Sequence, residues 1–547
     1  MTERTEVLIV GAGPVGLVLA CELRQQGVGV RLVDRRERFE GAGSNQSRAI
    51  LIWPRILEQL RRIGVSDRMV AAGHALPTVS YFSSGRLRGT VHIDRLPDSA
   101  YPLILTLAQN DTETILRERL AELKGEVETG VELTEIHDPE TAPRVVLKHA
   151  DGDTETVRPQ WLVGADGPAS TTRRLLGIEF AQDPIDVTYG IGDFPIVAGD
   201  VPDTVQYYYS RTGIGVIVPL RDGMYRIAAN IPHRAADDPR PPAEMFQTML
   251  TQRTKLPIRL GEPAWTNSFR PRCGVVRQYR RGRCFLAGDA AHVVSPAGGQ
   301  GMNIGLQDAV ELGWKLGGVT RGRFTESILD AYEPERSSAA RRVADTSAAQ
   351  IRFGAASNWR RVLVRDAVFV CADRLGVLQR RFAPLLAQTD FTYGEEPAGS
   401  LFWGVRKPAQ VGDRLPLFAP PAVAPGLPSL DPHDYTVLLW PGNIPRGRWR
   451  TVGAELRAAL AGHGPVRDLS TVFGQAGQAL RELLGGAAGA LAVRPDGHLA
   501  YRAAPADAGA LVEFLRSLRP VPNETTAGVA TPGRRLTEVP DGQTIST

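Results

Sequence analysis

A glycine-rich turn near the N-terminus has the residue types and spacing of a dinucleotide phosphate site. The turn Gly11-Ala12-Gly13-Pro14-Val15-Gly16 follows the apolar run 7–10 and precedes the apolar segment 17–23. In a strand–turn–helix unit the first glycine forms the tight turn, the second admits a pyrophosphate and the third lets helix and strand pack closely. The helix N-terminus would hold the phosphates with free N–H groups and a partial positive charge. The alternative is a glycine-rich turn without a ligand, and the motif alone does not separate NAD from FAD.

An acidic residue follows this turn at the distance expected for a ribose ligand. The second apolar run, 28–33, ends at Asp34, about 20 residues after the glycines. Its carboxylate is placed to accept hydrogen bonds from an adenosine ribose, and Arg35 lies next to it. Strand, turn, helix and acidic residue together predict a dinucleotide-binding unit over residues 6–34.

Two later segments repeat the pattern of an apolar strand that ends in a carboxylate. The run 161–165 leads into Asp166-Gly167, and the run 284–287 leads into Gly288-Asp289. A second glycine-rich turn, 298–301, then opens another helix. The N-terminus of that helix offers N–H groups and a positive dipole end to an electron-rich group.

The three motifs, in this order, resemble those of the class A FAD-dependent aromatic monooxygenases, which have the para-hydroxybenzoate hydroxylase fold. Within that family the chain is similar to the branch that acts on aromatic polyketides and antibiotics, over about residues 5–350 and more loosely over 400–520. The resemblance implies FAD as cofactor, NADPH or NADH as transient reductant, and a small aromatic molecule and O₂ as substrates. It also implies that a flavin C4a-hydroperoxide delivers one oxygen atom.

The resemblance carries roles onto individual residues. Arg48 would reach the FAD phosphates, Gln109 would contact the flavin side, and Asp289 would bind the ribityl hydroxyls. Asp166 would support the pyrophosphate region and access of NAD(P)H, and residues 299–303 would lie along the pyrimidine edge of the flavin. The predicted cofactor-binding residues are Gly11, Gly13, Pro14, Val15, Gly16, Asp34, Arg35, Arg48, Gln109, Asp166, Asp289, Pro296, Gly299, Gly301, Met302 and Asn303.

Some of these residues have simpler interpretations. Arg48 has the character of an ordinary surface arginine, and Gln109 could cap a helix predicted to begin near Thr112. His292 is a candidate catalytic base, although a lone histidine after a strand is also typical of a structural hydrogen-bonding role. The implied flavin chemistry needs no nucleophile or metal ligand from the protein, and no metal site is predicted.

Aromatic and apolar residues in the middle of the chain are candidates for substrate contacts. A closed, largely apolar site would keep the reactive flavin species from water. Ordinary strand aromatics are the alternative for the tyrosines. The predicted substrate-binding residues are Tyr207, Tyr209, Ile217, Pro219 and Pro296.

Positioning these residues requires an α/β fold in which distant segments meet. We predict a discontinuous Rossmann-like FAD domain of the GR2 type, made of residues 1–80, 103–180 and 272–330. A mixed β-sheet substrate domain, residues 81–102 and 181–271, would be inserted into it and would lie over the flavin.

The remainder of the chain is predicted to form separate units. Residues 331–400 are expected to be helical. Residues 401–519 resemble a thioredoxin-like C-terminal domain that lacks C-x-x-C, so a structural or dimer-forming role is expected. The polar tail 520–547 is predicted to be disordered.

Composition excludes several other classes. The 547 residues carry a net charge of +4 with arginine and acidic residues interspersed, so nucleic acid is not an expected partner. No apolar run is long enough to cross a membrane and the N-terminus lacks a signal-peptide layout, which predicts a cytoplasmic protein. The four cysteines have neither metal-site nor disulfide spacing. Monomer and homodimer both remain open.

Several functions are compatible with these motifs. The resemblance favours hydroxylation of a bulky polycyclic aromatic in secondary-metabolite biosynthesis. Antibiotic-inactivating hydroxylation and Baeyer–Villiger or ring-opening oxygenation would use the same cofactor. A non-catalytic protein that sequesters an aromatic antibiotic is an alternative of another class. The single G-x-G-x-x-G argues against a second dinucleotide domain, and the missing W-x-W-x-I-P argues against a flavin halogenase.

Overall fold

Strands and helices alternate through most of the chain. The computed structural model describes residues 3–39, 49–97, 99–185, 187–231, 240–354, 358–394, 408–416, 429–472 and 474–520. Strands β1 to β26, in chain order, are Glu3–Val10, Val30–Asp34, Leu51–Ile52, His74–Leu76, Thr78–Ser83, Arg86–His92, Ile104–Thr106, Val127–Thr129, Val131–His137, Arg144–His149, Thr154–Gly164, Asp183–Pro184, Thr188–Ala198, Val205–Ser210, Gly213–Pro219, Met224–Ile231, Arg259–Leu260, Trp265–Phe269, Arg272–Val275, Arg280–Arg281, Cys284–Leu286, His292–Val293, Thr436–Trp440, Val466–Asp468, Gly489–Val493 and Leu499–Ala503.

The α-helices are numbered in the same way. Helices α1 to α13 are Pro14–Gln25, Pro54–Leu60, Ser66–Ala72, Gln109–Glu122, Thr171–Leu175, Ala243–Thr254, Gly301–Thr320, Tyr332–Gly354, Trp359–Arg374, Ala383–Ala387, Arg446–Ala459, Gly474–Leu484 and Ala508–Ser517. Within the described ranges, none of these helices has the length and apolar character needed to cross a membrane.

The first sheet brings the N-terminal glycine turn together with the two later strand-end motifs. Its strand order is β20-β21-β11-β1-β2-β8, with β10 on β11 and β9 on β10. β1 runs parallel to β2 and β11, and β11 runs parallel to β21. Residues 7–10 are wholly apolar because this central strand is buried on both faces. The carboxyl ends of β1, β2, β11 and β21 therefore meet at one edge, where sheets of this kind bind ligands.

Helix α7 lies against this sheet together with α1. It is buried along most of its length and packs directly on α1. Gly313 permits the close crossing, since a Cβ there would lie 2.6 Å from the Cβ of Glu22. The N-terminus of α7 is thereby fixed near the ligand-binding edge.

A second, mixed sheet is formed by two separate parts of the chain. Its order is β17-β13-β16-β15-β14-β5-β6, with β18 paired to β13. β5 is parallel to β14, and the other neighbours are antiparallel. One face packs on α6 through a cluster that includes Phe194, Ile217 and Phe246. The opposite face turns Tyr207 and Tyr209 toward the N-terminus of α7.

The third sheet lies near the C-terminus, in the order β24-β23-β25-β26. β23 and β24 are parallel and joined through α11, whereas β25 is antiparallel to both β23 and β26. Its apolar interior includes Leu438, Trp440 and Leu491. Tyr435 at its edge packs against Trp314 of α7 with ring centroids 6.1 Å apart, which fastens this sheet to the first one.

Candidate active site

The turn between β1 and α1 is shaped to admit a pyrophosphate. Gly11 has a φ of +103°, in the region that favours glycine. A Cβ at Gly16 would lie 1.9 Å from the carbonyl oxygen of Gly11, so the turn also requires glycine there. Beside Gly13, by contrast, no atom of the described chain lies within 4 Å of where a Cβ would be. This open side and the N-terminus of α1, which begins at Pro14, form a cradle for an anionic group.

A cleft of about 270 Å³ extends from this turn along the carboxyl edge of the first sheet. Gly13, Asp34, Arg35, Asp166 and Gly167 line it. The fold therefore brings residues from the ends of β1, β2 and β11 around one elongated space. Arg35 is exposed and brings a positive charge to the lining of the cleft.

Asp34, the predicted ribose ligand, is already engaged by the protein. Its Oδ2 accepts from the N–H of Ala12 and its Oδ1 from the N–H of Arg36, both at 2.8 Å. The Arg36 guanidinium donates to both oxygens at 3.0 Å. Burial opposes ionisation of Asp34, but the hydrogen bonds from Arg36 outweigh it and lower the pKa of the carboxyl group. A ribose hydroxyl would compete with Arg36 for this carboxylate.

Asp166 holds the loop that separates the cleft from a second space. Its Oδ2 accepts from the N–H and hydroxyl of Thr172 at 2.9 and 3.0 Å, and its Oδ1 accepts from the Ser170 hydroxyl. This bonding fixes the start of α5. Pro168, in the same loop, lines the larger cavity on the other side.

The larger cavity, of about 410 Å³, lies between the start of α7 and the second sheet. Five residues that were predicted to bind the cofactor line one side, namely Asp289, Pro296, Gly299, Gly301 and Met302. The sheet lines the other side with apolar and aromatic side chains, namely Tyr189, Ile191, Tyr207, Tyr209, Ile214, Val216, Val218, Ala228 and Phe269. Residues expected to touch the flavin and residues expected to touch the substrate thus surround one space.

The turn that presents Asp289 to this cavity is anchored from behind. Gly288 has a φ of +60°, and a Cβ there would lie 2.8 Å from Cγ2 of Val15. The Gly288 N–H donates to Oδ2 of the fully buried Asp308 at 2.9 Å. Val15, a predicted cofactor residue, therefore packs the first glycine motif against the third.

The two tyrosines predicted to face a substrate do line the cavity. Tyr81 stacks behind Tyr207 with ring centroids 5.5 Å apart. Burial raises the pKa of Tyr207 to about 12, partly opposed by the backbone of Gly298 and the side chain of Gln350. Burial also raises the pKa of Tyr209. Both hydroxyls are neutral at physiological pH and can donate hydrogen bonds.

The structure corrects the substrate residues predicted on β15. Val216 and Val218 line the cavity, whereas Ile217 points to the opposite face and packs with Phe246. Pro219 shares the orientation of Ile217, because alternate residues of a strand face opposite sides. The prediction for Ile217 and Pro219 was wrong by one residue. An alternation signal was missing because β15 is apolar on both faces.

His292 does not reach the cavity. It is 1% exposed, and its Nε2 lies 2.6 Å from Oδ2 of Asp308. Its neighbours Val293 and Val294 line the cavity instead. This burial corrects the hypothesis that His292 is a catalytic base, because a base must reach the substrate. The structure supports the alternative, a structural hydrogen-bonding role.

Asn303 is used inside the protein rather than on the cavity wall. Its side chain accepts from the N–H of Trp53 at 2.9 Å and donates to the carbonyl oxygens of Leu51 and Gly299 at 2.8 and 2.9 Å. These bonds fasten the first turn of α7 to β3. Asn303 therefore shapes the helix start that Gly301 and Met302 present to the cavity.

Gln109, a further predicted residue, stands apart from the cavity. Gln109 is the first residue of α4, three positions before the predicted helix start at Thr112, and its amide donates to Glu113 at 3.0 Å. Neither the described lining of the cleft nor that of the cavity includes it. Arg48 lies outside the described residues.

Sequence reasoning missed a buried ion pair in the cavity wall. Arg226 lines the cavity and donates to both oxygens of Asp193, at 2.5 and 2.9 Å. The Trp265 indole donates to the same carboxylate at 2.9 Å. These residues face each other across β13, β16 and β18, and their spacing along the chain gave no signal.

The residues present fit an extended flavin dinucleotide. The cleft suits an adenosine half, the open side of Gly13 suits the phosphates, and Asp289 stands where a polyol chain would enter the larger cavity. The start of α7 then offers N–H groups to an electron-rich ring edge.

Comparison with known proteins agrees with this geometry. A family model described as an FAD binding domain matches residues 4–347. The 6-methylpretetramide 4-monooxygenase of Streptomyces rimosus is 32% identical over 98% of this chain and 97% of its own length. The rifampicin monooxygenase of Streptomyces venezuelae is 34% identical over 64% of this chain and 71% of its own length.

Solved structures share the fold along nearly the whole chain. The OxyS anhydrotetracycline hydroxylase from Streptomyces rimosus superimposes with a TM-score of 0.72 and 27% identity, covering 95% of this chain and all of the other. The flavin-dependent monooxygenase PieE, solved with FAD and substrate, gives a TM-score of 0.73 at 22% identity over 94% of this chain and 99% of its own, a likeness of fold alone.

Proposed function

The chain belongs to the FAD-dependent aromatic monooxygenases of the polyketide and antibiotic type, and on this premise we propose that it hydroxylates a bulky polycyclic aromatic molecule. FAD is its cofactor and NADPH or NADH its reductant. The observation that carries the proposal is the cavity of about 410 Å³ in which the start of α7 faces an aromatic and apolar wall. When bound, FAD supplies the electron transfer and the activation of O₂.

The first sheet would hold the cofactor. In this proposal Gly11, Gly13 and Gly16 shape the pyrophosphate turn and Asp289 accepts hydrogen bonds from the ribityl chain. Gly299, Gly301 and Met302 would hold the flavin ring, and backbone N–H groups at the start of α7 would offer hydrogen bonds and a positive dipole end to negative charge on it. Arg48 and Asp166 keep the roles that the resemblance implies, whereas Gln109 bonds Glu113 and is absent from the described linings of both spaces.

The second sheet would hold the substrate. Tyr189, Val216, Val218 and Phe269 supply a flat apolar wall that suits fused aromatic rings and excludes water from the reacting centre. Tyr207, kept neutral by burial, would donate a hydrogen bond to an oxygen substituent and so orient the ring.

The C-terminal sheet supports a thioredoxin-like assignment. Its elements follow one another along the chain as β-α-β-α-β-β-α. In space, the second strand lies at one edge and is followed by the first, third and fourth. Both features are those of a minimal thioredoxin fold. We assign it a structural role, since its sequence lacks C-x-x-C. The predicted division into FAD, substrate and helical segments forms part of the same proposal.

Product analysis under ¹⁸O₂ tests the function. The purified flavoprotein would be incubated with NADPH and a panel of polycyclic phenols, and the products examined by mass spectrometry. We expect a product heavier by one labelled oxygen atom and carrying a new phenol. A lactone would instead indicate Baeyer–Villiger oxygenation. Tight binding of an aromatic without NAD(P)H oxidation would indicate a sequestering protein and contradict the proposal.

A further inference from the structure

Buried charged side chains connect the turn that carries Asp289 to the C-terminal sheet. The first link is Asp308, whose Oδ2 accepts from the Gly288 N–H at 2.9 Å and whose Oδ1 accepts from Nε of Arg336 at 2.6 Å. Asp308 and Arg336 are both fully buried. The backbone of the turn is thus held by a carboxylate whose own position is set by an arginine on α8 together with His292, whose Nε2 lies 2.6 Å from the same Oδ2.

The second link runs from Arg336 to Glu311 on α7. Nη1 of Arg336 donates to the Tyr393 hydroxyl at 2.9 Å, and that hydroxyl donates to Oε2 of Glu311 at 2.8 Å. The same Nη1 lies 3.6 Å from Glu311 Oε2. Arg336 is therefore shared between two acidic side chains, Asp308 on one side and Glu311 on the other.

The third link reaches the C-terminal sheet through Arg494, which directly follows β25. Arg494 donates to Oε1 of Glu335 at 2.7 Å, and its Nη2 lies 3.9 Å from Oε1 of Glu311. Asp496 accepts two further hydrogen bonds from Arg494, at 2.6 and 3.2 Å. Only 8% of the Arg494 side chain is exposed.

These contacts form a series from Arg494 through Glu311 and Arg336 to Asp308, so removal of the positive charge of Arg494 should affect Asp308. Glu311 and Glu335 would keep Lys315, which bonds both, but would lose the cation that the C-terminal sheet supplies. Glu311 and Glu335 together hold one proton and one negative charge near neutral pH. Because a buried negative charge without a cation is costly, Arg336 would be drawn toward this pair and away from Asp308. The hold on the Gly288 N–H would loosen.

We propose that Arg494 is a positioning residue for FAD, which acts through Glu311, Arg336 and Asp308 on the turn that presents Asp289. This makes the C-terminal sheet part of the cofactor site, although it lines neither the described cleft nor the described cavity. The proposal rests on the assignment of Asp289 to the ribityl chain.

FAD binding to the full-length apoprotein tests this role. Arg494→Gln would be titrated with FAD, following flavin fluorescence for Kd and visible circular dichroism for the environment of the bound ring. We expect Kd to rise by about tenfold, the lower end of the losses seen when partners that orient metal ligands are removed. The visible circular dichroism should change as well. Arg494→Lys, which keeps the positive charge, should restore most of the FAD affinity and most of the wild-type dichroism.

Arg502→Gln is the matched control. Arg502 is a half-buried arginine of β26, in the same sheet as β25, and its described hydrogen bonds go to the carbonyl oxygens of Leu484, Ala409 and Ala487 at 2.6 to 3.4 Å. We expect a lower Tm but an FAD Kd within about twofold of the wild type, since sites without shared partners usually have additive effects. Equal weakening of FAD binding by Arg502→Gln and Arg494→Gln would overturn the proposal, as would a wild-type Kd and dichroism in Arg494→Gln.

A second variant keeps the test decisive if Arg494→Gln does not fold. Asp308→Asn preserves shape and removes the charge, and we expect it to weaken FAD binding and alter the dichroism. Wild-type values in Asp308→Asn would overturn the proposal. Asp289→Ala distinguishes a failure of the ribityl assignment from a failure of the role given to Arg494. If it retains FAD, the ribityl assignment fails, whereas loss of FAD there with wild-type binding in Asp308→Asn refutes only the role of Arg494.

Discussion

We expect Gly13 to be needed for cofactor binding and not for folding. A side chain at this position meets open space, whereas the expected pyrophosphate would need the same space. We expect Gly13→Val to purify as a folded protein with little bound flavin. The ratio of flavin absorbance to protein measures the loss, and far-ultraviolet circular dichroism checks the fold.

Gly16→Ala provides the contrast. Its Cβ would meet the carbonyl oxygen of Gly11 at 1.9 Å, so the turn must distort before any cofactor arrives. We expect a lower Tm in the apoprotein of Gly16→Ala and not in that of Gly13→Val. Full flavin content in Gly13→Val would refute the role given to this turn.

Tyr207 is expected to act as a hydrogen-bond donor and not as a base. Its pKa of about 12 keeps the hydroxyl protonated throughout the physiological range. Tyr207→Phe should raise KM for a phenolic substrate by about threefold to tenfold, the range for one lost hydrogen bond. The pH dependence of kcat/KM should keep its wild-type midpoints, and a lost ionisation in the variant would show that Tyr207 titrates during turnover.

At the scale of elements, strand β15 offers a test with two neighbouring residues. Val216 lines the cavity, so Val216→Trp should obstruct the substrate while flavin binding and Tm stay near wild type. Ile217 packs under α6, so Ile217→Ala should cost about 2–5 kcal/mol in the free energy of unfolding. Its KM for substrate should change little.

Steady-state kinetics and thermal unfolding of the two variants decide the register of β15. The opposite result, a raised KM in Ile217→Ala and an unaffected Val216→Trp, would restore the orientation expected from the sequence.

Elements differ in how far the sequence predicts them. The β1–α1–β2 unit was predicted within a few residues, because buried parallel strands read as continuous apolar runs and a glycine turn marks the helix start. The residues of β15 that face the cavity were not predicted correctly, because both faces of this strand are buried and no polar residue distinguishes them. The Asp193–Arg226 pair also escaped prediction, since it depends on which strands become neighbours.

For the whole molecule, the buried charges between α7, α8 and the C-terminal sheet predict a dependence of stability on pH. Burial raises the pKa of Glu311 to about 8 from an ordinary 4.5. Between these values the folded protein keeps a proton that the unfolded chain has lost. The contribution of the Glu311 proton to the free energy of unfolding is therefore fully present below about pH 4.5, and it is lost as the pH rises through about 8.

The measurement is Tm as a function of pH in wild type and Glu311→Gln. Between pH 5 and 9 we expect the wild-type Tm to fall by several degrees more than that of the variant, which has no proton to lose. Parallel curves would contradict the raised pKa. Charged and titratable groups that face Glu311 come from four parts of the chain, namely Lys315, Glu335, Arg336, Tyr393 and Arg494.

This arrangement of charges was beyond the reach of sequence analysis. The glycine and strand-end motifs predicted that residues near 11, 166 and 289 would meet, because each motif has a known place at the sheet edge. Nothing comparable marks the pairing of Arg494 with Glu335, 159 residues away, or of Tyr393 with Glu311 and Arg336, 82 and 57 residues away. Their pairing follows from how the C-terminal sheet docks on α7.

The pairing of β1 with β11 also bears on how the protein is made. Val7 lies opposite Trp161, and Leu162 in turn lies opposite Cys284. A ribosome adds about 5–20 residues per second, so β11 is synthesised many seconds after β1, and β21 and α7 are synthesised later still. A nascent chain therefore has no flavin site until its first three hundred or so residues have emerged, and products of premature termination before that point should be colourless.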